Sequence, residues 1–133
     1  MTICATEPTF AEECFDSPEL MKQVFTEGDC WILAEELHHA FGWTLVLVGN
    51  FGDGDNPADC WEHACVRRPD GMLVDITGSL PDSQMIALWS YNRSSYMTVD
   101  VTPEQFARAV EGMLPEWEES RGVAKEWIAR TLL

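Results

Sequence analysis

The sequence predicts an α+β domain with a small antiparallel sheet and a helix packed on one of its faces, and three observations carry that expectation. Helical and extended patterns run in the order helix, strand, hairpin, strand, helix, without the regular alternation that builds a parallel sheet. The segment 61–76 is rich in β-formers and breaks at Pro69-Asp70-Gly71, as a hairpin does. The chain has 133 residues, 46% of them hydrophobic, and a chain of that length buries roughly two-thirds of its unfolded surface without a disulfide or metal. No repeat, low-complexity stretch or linker divides it, so one domain over residues 1–133 is expected.

The elements follow from local signals. Residues 1–16 are mixed in pattern and read as irregular. Ser17-Pro18-Glu19 combines an N-cap, a proline at the first helical position and an acid in the first turn, which starts a helix to about residue 26. Asp29 is placed to cap a second helix that Gly42 stops, with Cys30, Leu33, Ala34, Leu37 and Phe41 on one apolar stripe. Glu35, Glu36 and His39 fall off that stripe and read as a solvent face.

Residues 44–48 are continuously apolar and β-branched, as a buried strand is. Residues 50–59 are a Gly/Asp/Pro loop, placed to cover the edge of a pocket, and the hairpin follows, ending near Thr77-Gly78. Residues 81–89 fit a short helix and 96–101 a further strand. Thr102-Pro103-Glu104-Gln105 is a capping box that opens a helix of about ten residues carrying Phe106, Val110 and Met113. Pro115 interrupts it, and residues 117–132 resume a helical pattern.

Three residues carry the chemistry. Cys30 opens the second helix, where the amide dipoles favour negative charge. Folding the hairpin about Pro69-Asp70 sets His63 directly opposite Asp75, and paired residues project from one face. A thiol nucleophile, an imidazole base and a carboxylate that orients the base are the parts of covalent acyl transfer. Taken singly, a cysteine on an apolar stripe is a small hydrophobe and a His–Asp pair is a cross-strand contact; their order and placement together favour catalysis. The Cys30 N–H and the amide of Gln23 are candidate donors to a developing oxyanion. Trp31 and Trp61 flank nucleophile and base, and are expected to wall a substrate cleft. The other aromatics, among them Trp43, Trp89, Tyr91 and Tyr96, read as core.

Gly28-Asp29-Cys30-Trp31 opening a helix, followed by Trp61-Glu62-His63-Ala64-Cys65-Val66, Pro69-Asp70-Gly71 and Leu73-Val74-Asp75, resembles the papain-like superfamily of Cys-His-Asp proteins, in particular its small bacterial and phage domains. The resemblance covers residues 28–78. It implies a papain-like arrangement with Cys30 as nucleophile, His63 as base and Asp75 as orienter. It also implies a hydrolase or acyltransferase acting on an amide or ester of a peptide or small acyl substrate, with no cofactor.

Other ligand patterns are incomplete. Cys60-x-x-His63 offers one half of a zinc site with no second pair, and taking His63 for a metal would remove the base. Asp53 to Asp59 lacks the glycine and glutamate that an EF-hand loop requires, and residues 35–39 lack the His-Glu-x-x-His order of a zinc peptidase. No metal is expected. Net charge is −15, from 23 acids against 8 bases, which repels nucleic-acid phosphates and suits a very soluble surface or a basic protein partner. A non-catalytic acidic inhibitor that blocks such a partner is therefore the competing expectation. Five irregularly spaced cysteines, the absence of an apolar run long enough to span a bilayer and an N-terminus unlike a secretory signal point to a cytoplasmic setting away from membranes.

Overall fold

A computed structural model describes residues 8–52, 54–90 and 96–133; the expectations placed on residues 1–7, on Asp53 and on Tyr91 lie outside them. Three helices come first: α1 (Phe10–Asp16), α2 (Pro18–Thr26) and α3 (Cys30–Phe41). The first corrects the sequence reading, which left residues 1–16 irregular. Thr9 caps α1 through its hydroxyl, and the helix forms because Cys14 becomes buried with Phe10 and Phe15 packed against the same core. At only seven residues it has little helical stability of its own. Ser17 caps α2 by accepting from the Leu20 N–H at 3.2 Å, and Gly42 closes α3 in the left-handed conformation at φ 72°, as expected.

The sheet is antiparallel throughout. It comprises β1 (Thr44–Asn50), β2 (His63–Arg67), β3 (Leu73–Asp75), β4 (Gly78–Leu80) and β5 (Tyr96–Val101), in the order β4-β3-β2-β1-β5. Strand β4 continues the hairpin into a meander that the sequence reading ended at Gly78. Between them, α4 (Pro57–Cys60) forms one turn inside the loop 50–59, capped by Asn56, and α5 (Asp82–Ser90) follows β4. Helices α6 (Pro103–Ala109) and α7 (Ser120–Thr131) complete the chain. The capping box of α6 is present with both reciprocal bonds, 3.1 and 2.8 Å long.

Strand alternation divides the core into two layers. Leu45, Leu47, Ala64, Val66 and Val74 point to one face, where they pack with Phe25, Leu33, Leu37, Val123 and Ile128 from α2, α3 and α7. Val46, Val48, Cys65 and Leu73 point to the other, under Met85 of α5. Each fully buried large aliphatic or aromatic side chain adds about 1.5–3 kcal/mol by leaving water. Helix α3 is enclosed further round than its stripe predicts, since Trp31, Ile32 and Glu36 are buried as well.

Glu36 belongs to an ion network, which corrects its placement on a solvent face. Arg121 on α7 donates to Glu36 at 2.6 Å and to Glu35 at 2.8 Å, tying α7 to α3. Arg121→Ala would leave the buried Glu36 carboxylate without its cation. Because Arg121 itself is 39% exposed, water screens part of that loss, and the expected cost is about 1–2 kcal/mol. A urea midpoint unchanged from wild type would contradict it.

Candidate active site

The turn that brings His63 to Asp75 is built by Arg68-Pro69-Asp70-Gly71. The Gly71 N–H donates to the Arg68 carbonyl and the Arg68 N–H to the Met72 carbonyl, at 2.9 and 2.8 Å. Gly71 supplies the required positive φ of 91°. The loop is thus three residues centred on Asp70. It fixes Val66 opposite Val74 and Arg67 opposite Leu73, two places from the pairing expected with the fold at Pro69-Asp70. His63 and Asp75 are therefore diagonal rather than directly opposed. A shift of two preserves the face, and diagonal neighbours remain within reach of long side chains. His63 Nε2 and Asp75 Oδ2 lie 2.8 Å apart.

Asp75 is held in turn. Its Oδ1 accepts from both the backbone N–H and the hydroxyl of Thr77, at 2.8 and 2.5 Å, so Oδ2 is left to the imidazole. Burial pushes the Asp75 carboxyl up, yet the bond and charge of His63 and the two Thr77 donors bring it below its ordinary value. Burial pushes the His63 ring down, but the Asp75 bond and the neighbouring Cys30 thiol outweigh it and raise the pKa to about 9. The second ring nitrogen, Nδ1, is buried and has no hydrogen-bond partner among the described residues. The Cys30 thiol lies near enough to favour the charged ring both as a hydrogen-bonding neighbour and through its charge, at a geometry too long or bent to count as a formed bond to that nitrogen.

Cys30 is the first residue of α3. Asp29 precedes it at the N-cap position but does not cap the helix with its side chain, contrary to expectation. Its buried carboxylate instead accepts the backbone N–H groups of Glu116 and Trp117, at 2.8 and 3.1 Å. Gly28 makes room for that segment, since a Cβ there would come 2.5 Å from Cγ of Glu116. The start of the cysteine helix is thereby clamped to the chain ahead of α7.

By alternation His63 shares a face with Cys65 and Asp75 with Leu73, the side covered by α5, whereas the body of α3 packs on the opposite face. His63 is the first residue of β2, so it lies at an end of its strand. Trp89 of α5 stacks on its ring, with centroids 4.2 Å apart and planes 16° from parallel. The two tryptophans expected to wall the cleft lie elsewhere. Trp31 is buried in the core with the Arg121 guanidinium 5.8 Å from its ring centroid, and Trp61 is half-buried with its indole N–H on the Ala109 carbonyl at 3.1 Å. No local pattern in residues 81–89 marks Trp89 for this role; it follows from α5 crossing the face that carries His63. Gln23 is exposed on α2 and lines a surface depression with Glu19, Lys22, Thr26 and Glu27.

The other described cysteines are poorly disposed to react. Burial, then the Glu13 charge, pushes Cys14 up to about 11; Cys65 is pushed well up by burial and Asp75. Local burial with Asp55 and Asp59 raises Cys60, although that thiol is exposed and donates to the Asn56 carbonyl. Among the described residues, no three His, Cys, Asp or Glu side chains converge to hold a metal ion, and no helix is long and apolar enough to cross a membrane. The chain matches no protein-family model, no curated protein and no solved structure.

Proposed function

We propose that the protein is a cysteine-dependent hydrolase or acyl transferase of papain-like design, acting on an amide or ester. The observation that carries this reading is the unequal use of the His63 ring. Nε2 is fixed on Asp75, while Nδ1 is buried without a hydrogen-bond partner among the described residues, beside a thiol at a helix start. A buried nitrogen without a bond costs about 1–3 kcal/mol, and such exceptions call for a functional reason. With the Nε2 proton directed at Asp75, Nδ1 takes the proton of the Cys30 thiol, and the raised pKa of the ring favours the resulting imidazolium–thiolate pair. The thiolate sulfur then attacks the acyl carbon, and the carbonyl electrons move to oxygen. The tetrahedral adduct collapses as the bond to the leaving amine or alcohol breaks and Nδ1 returns its proton to that group. Water or an amine, deprotonated by the same nitrogen, resolves the thioester. Asp75 stabilises the imidazolium throughout without taking the proton.

Alkylation tests the reading. Iodoacetamide at pH 7, with sites assigned by peptide mapping, is expected to modify Cys30 faster than Cys60, although Cys60 is the exposed thiol. His63→Gln, which keeps the bulk of the ring, should slow Cys30 by about 10- to 100-fold, the span by which imidazolium pairing raises the thiolate fraction. Modification dominated by Cys60 and indifferent to His63 would leave the acidic-inhibitor reading, which the −15 charge favours. An inhibitor would form a salt-sensitive complex with a basic protein that survives Cys30→Ala.

A further inference from the structure

Away from the reacting groups, four parts of the chain converge on a groove of about 330 Å³, at the small end of the range that ligand pockets span. Helix α1 contributes Cys14 and Phe15, and α2 contributes Pro18, Met21 and Lys22. The turn between β3 and β4 adds Ile76, and α7 adds Trp127. Six of these seven side chains are apolar. Cys14 counts among them, because burial, then the Glu13 charge, raises its pKa to about 11 and keeps the thiol neutral at pH 7. Phe15, Ile76 and Trp127 are only partly buried against the main core, so each keeps apolar surface for the groove. The Arg130 guanidinium fixes the Phe15 wall, lying 4.0 Å from its ring centroid.

We propose that this groove binds an aliphatic monocarboxylate, its chain against Phe15, Ile76 and Trp127 and its carboxylate on Lys22. The charge balance of the chain singles out Lys22. The described arginines are all engaged by carboxylates: Arg67, Arg68, Arg108, Arg121 and Arg130. Among the described residues no carboxylate pairs with Lys22, Glu19 and Glu27 of the adjoining depression included. The Lys22 carbonyl accepts the Thr26 hydroxyl, which leaves the ammonium to a ligand. A surface of net charge −15 repels anions, so one unspent cation beside an apolar wall decides where a single negative charge can dock. The same walls argue against a peptide. Its backbone amides would find no partners among these side chains, and an amide buried without a bond costs free energy. A hydrocarbon chain brings no such groups. The proposal goes beyond the catalytic reading and does not depend on Cys30 as a nucleophile.

The test is a titration of the isotope-labelled full chain at pH 7 with hexanoate, octanoate and octanol, followed by amide chemical shifts. Octanoate carries two more methylenes than hexanoate, which should tighten binding by about 15-fold. The shifts should concentrate at residues 14–22, at Ile76 and at the Trp127 indole N–H. Lys22→Met keeps an unbranched side chain and removes the charge from an exposed position. It should weaken octanoate by about 2- to 5-fold, the worth of an exposed ion pair, and leave octanol unchanged. Lys125→Met, which removes an exposed lysine outside the groove, should alter neither ligand. Octanoate binding equal in wild type and Lys22→Met would overturn the proposal, as would octanoate binding no tighter than hexanoate or shifts centred elsewhere. Binding that appears only after residues 1–7 are deleted would overturn it too, by assigning the groove to that segment.

Discussion

Asp75→Ala is expected to destabilise the fold by about 3–5 kcal/mol, as removing one partner of a buried charged pair does, and to weaken the loss of stability with rising pH. In the wild type the folded-state pKa of His63 is raised to about 9, above the ordinary value of about 6.5 in the unfolded chain. The folded state therefore binds the proton more tightly. The stability this group contributes is complete below pH 6.5 and is lost as pH rises through 9. Asp75 acts in the opposite direction: its carboxyl is lowered, so its contribution is present above its ordinary range and is lost as pH falls through the folded value. Together they make the pair most stabilising on the acidic side of neutrality. Without Asp75, only the Cys30 thiol opposes burial, so the pKa of the ring falls from its wild-type value. The variant should then lose less stability than the wild type between pH 6 and 8. Urea titrations of both proteins at pH 6 and pH 8 measure this, and parallel pH dependences would contradict the assignment of the His63 shift to Asp75.

Asp29→Ala should be nearly as costly, at about 2–4 kcal/mol. The Asp29 carboxylate is completely buried and takes two N–H groups from the segment before α7, and bonds to a charged acceptor are worth more than neutral ones. Alanine would strand both donors and release that segment from the start of α3. The loss should be read twice, as a lower urea midpoint and as faster amide exchange at Glu116 and Trp117 than at the strands. Ordinary helix capping would confine the effect to the first turn of α3, whose side-chain cap bond is absent in any case. Exchange that accelerates only at residues 31–33 would show that Asp29 caps α3 in solution.

Both substitutions act at contacts that join distant parts of the chain, and this marks where the sequence becomes silent. The face shared by His63 and Asp75 was legible, since strand parity survives a two-place error in register. The register itself was not. Whether a turn is centred on Pro69-Asp70 or on Asp70 depends on Gly71 taking the left-handed conformation and on how the strands twist together. Strand β4 was missed because Gly78-Ser79-Leu80 carries almost no β signal; pairing with β3 creates it. Helix α1 was missed for a similar reason, since seven residues with one buried cysteine show no periodicity until α2 and α7 give them a surface.

Local signals by themselves determined the α+β order, the caps at Ser17 and Thr102, the stop at Gly42, the placement of Cys30 at a helix start and the common face of His63 and Asp75. Each lies in a window of a few residues whose backbone preferences do not depend on the rest of the chain. Tertiary structure alone decided that Trp89 covers the imidazole, that Trp31 goes to the core, that Asp29 serves the segment before α7 and that the thiol is shut away from solvent. Those contacts span 26 residues from His63 to Trp89 and 87 from Asp29 to Glu116. They depend on which surfaces remain to be buried once the sheet and α3 have packed, and no stretch of sequence short enough to read on its own contains both partners.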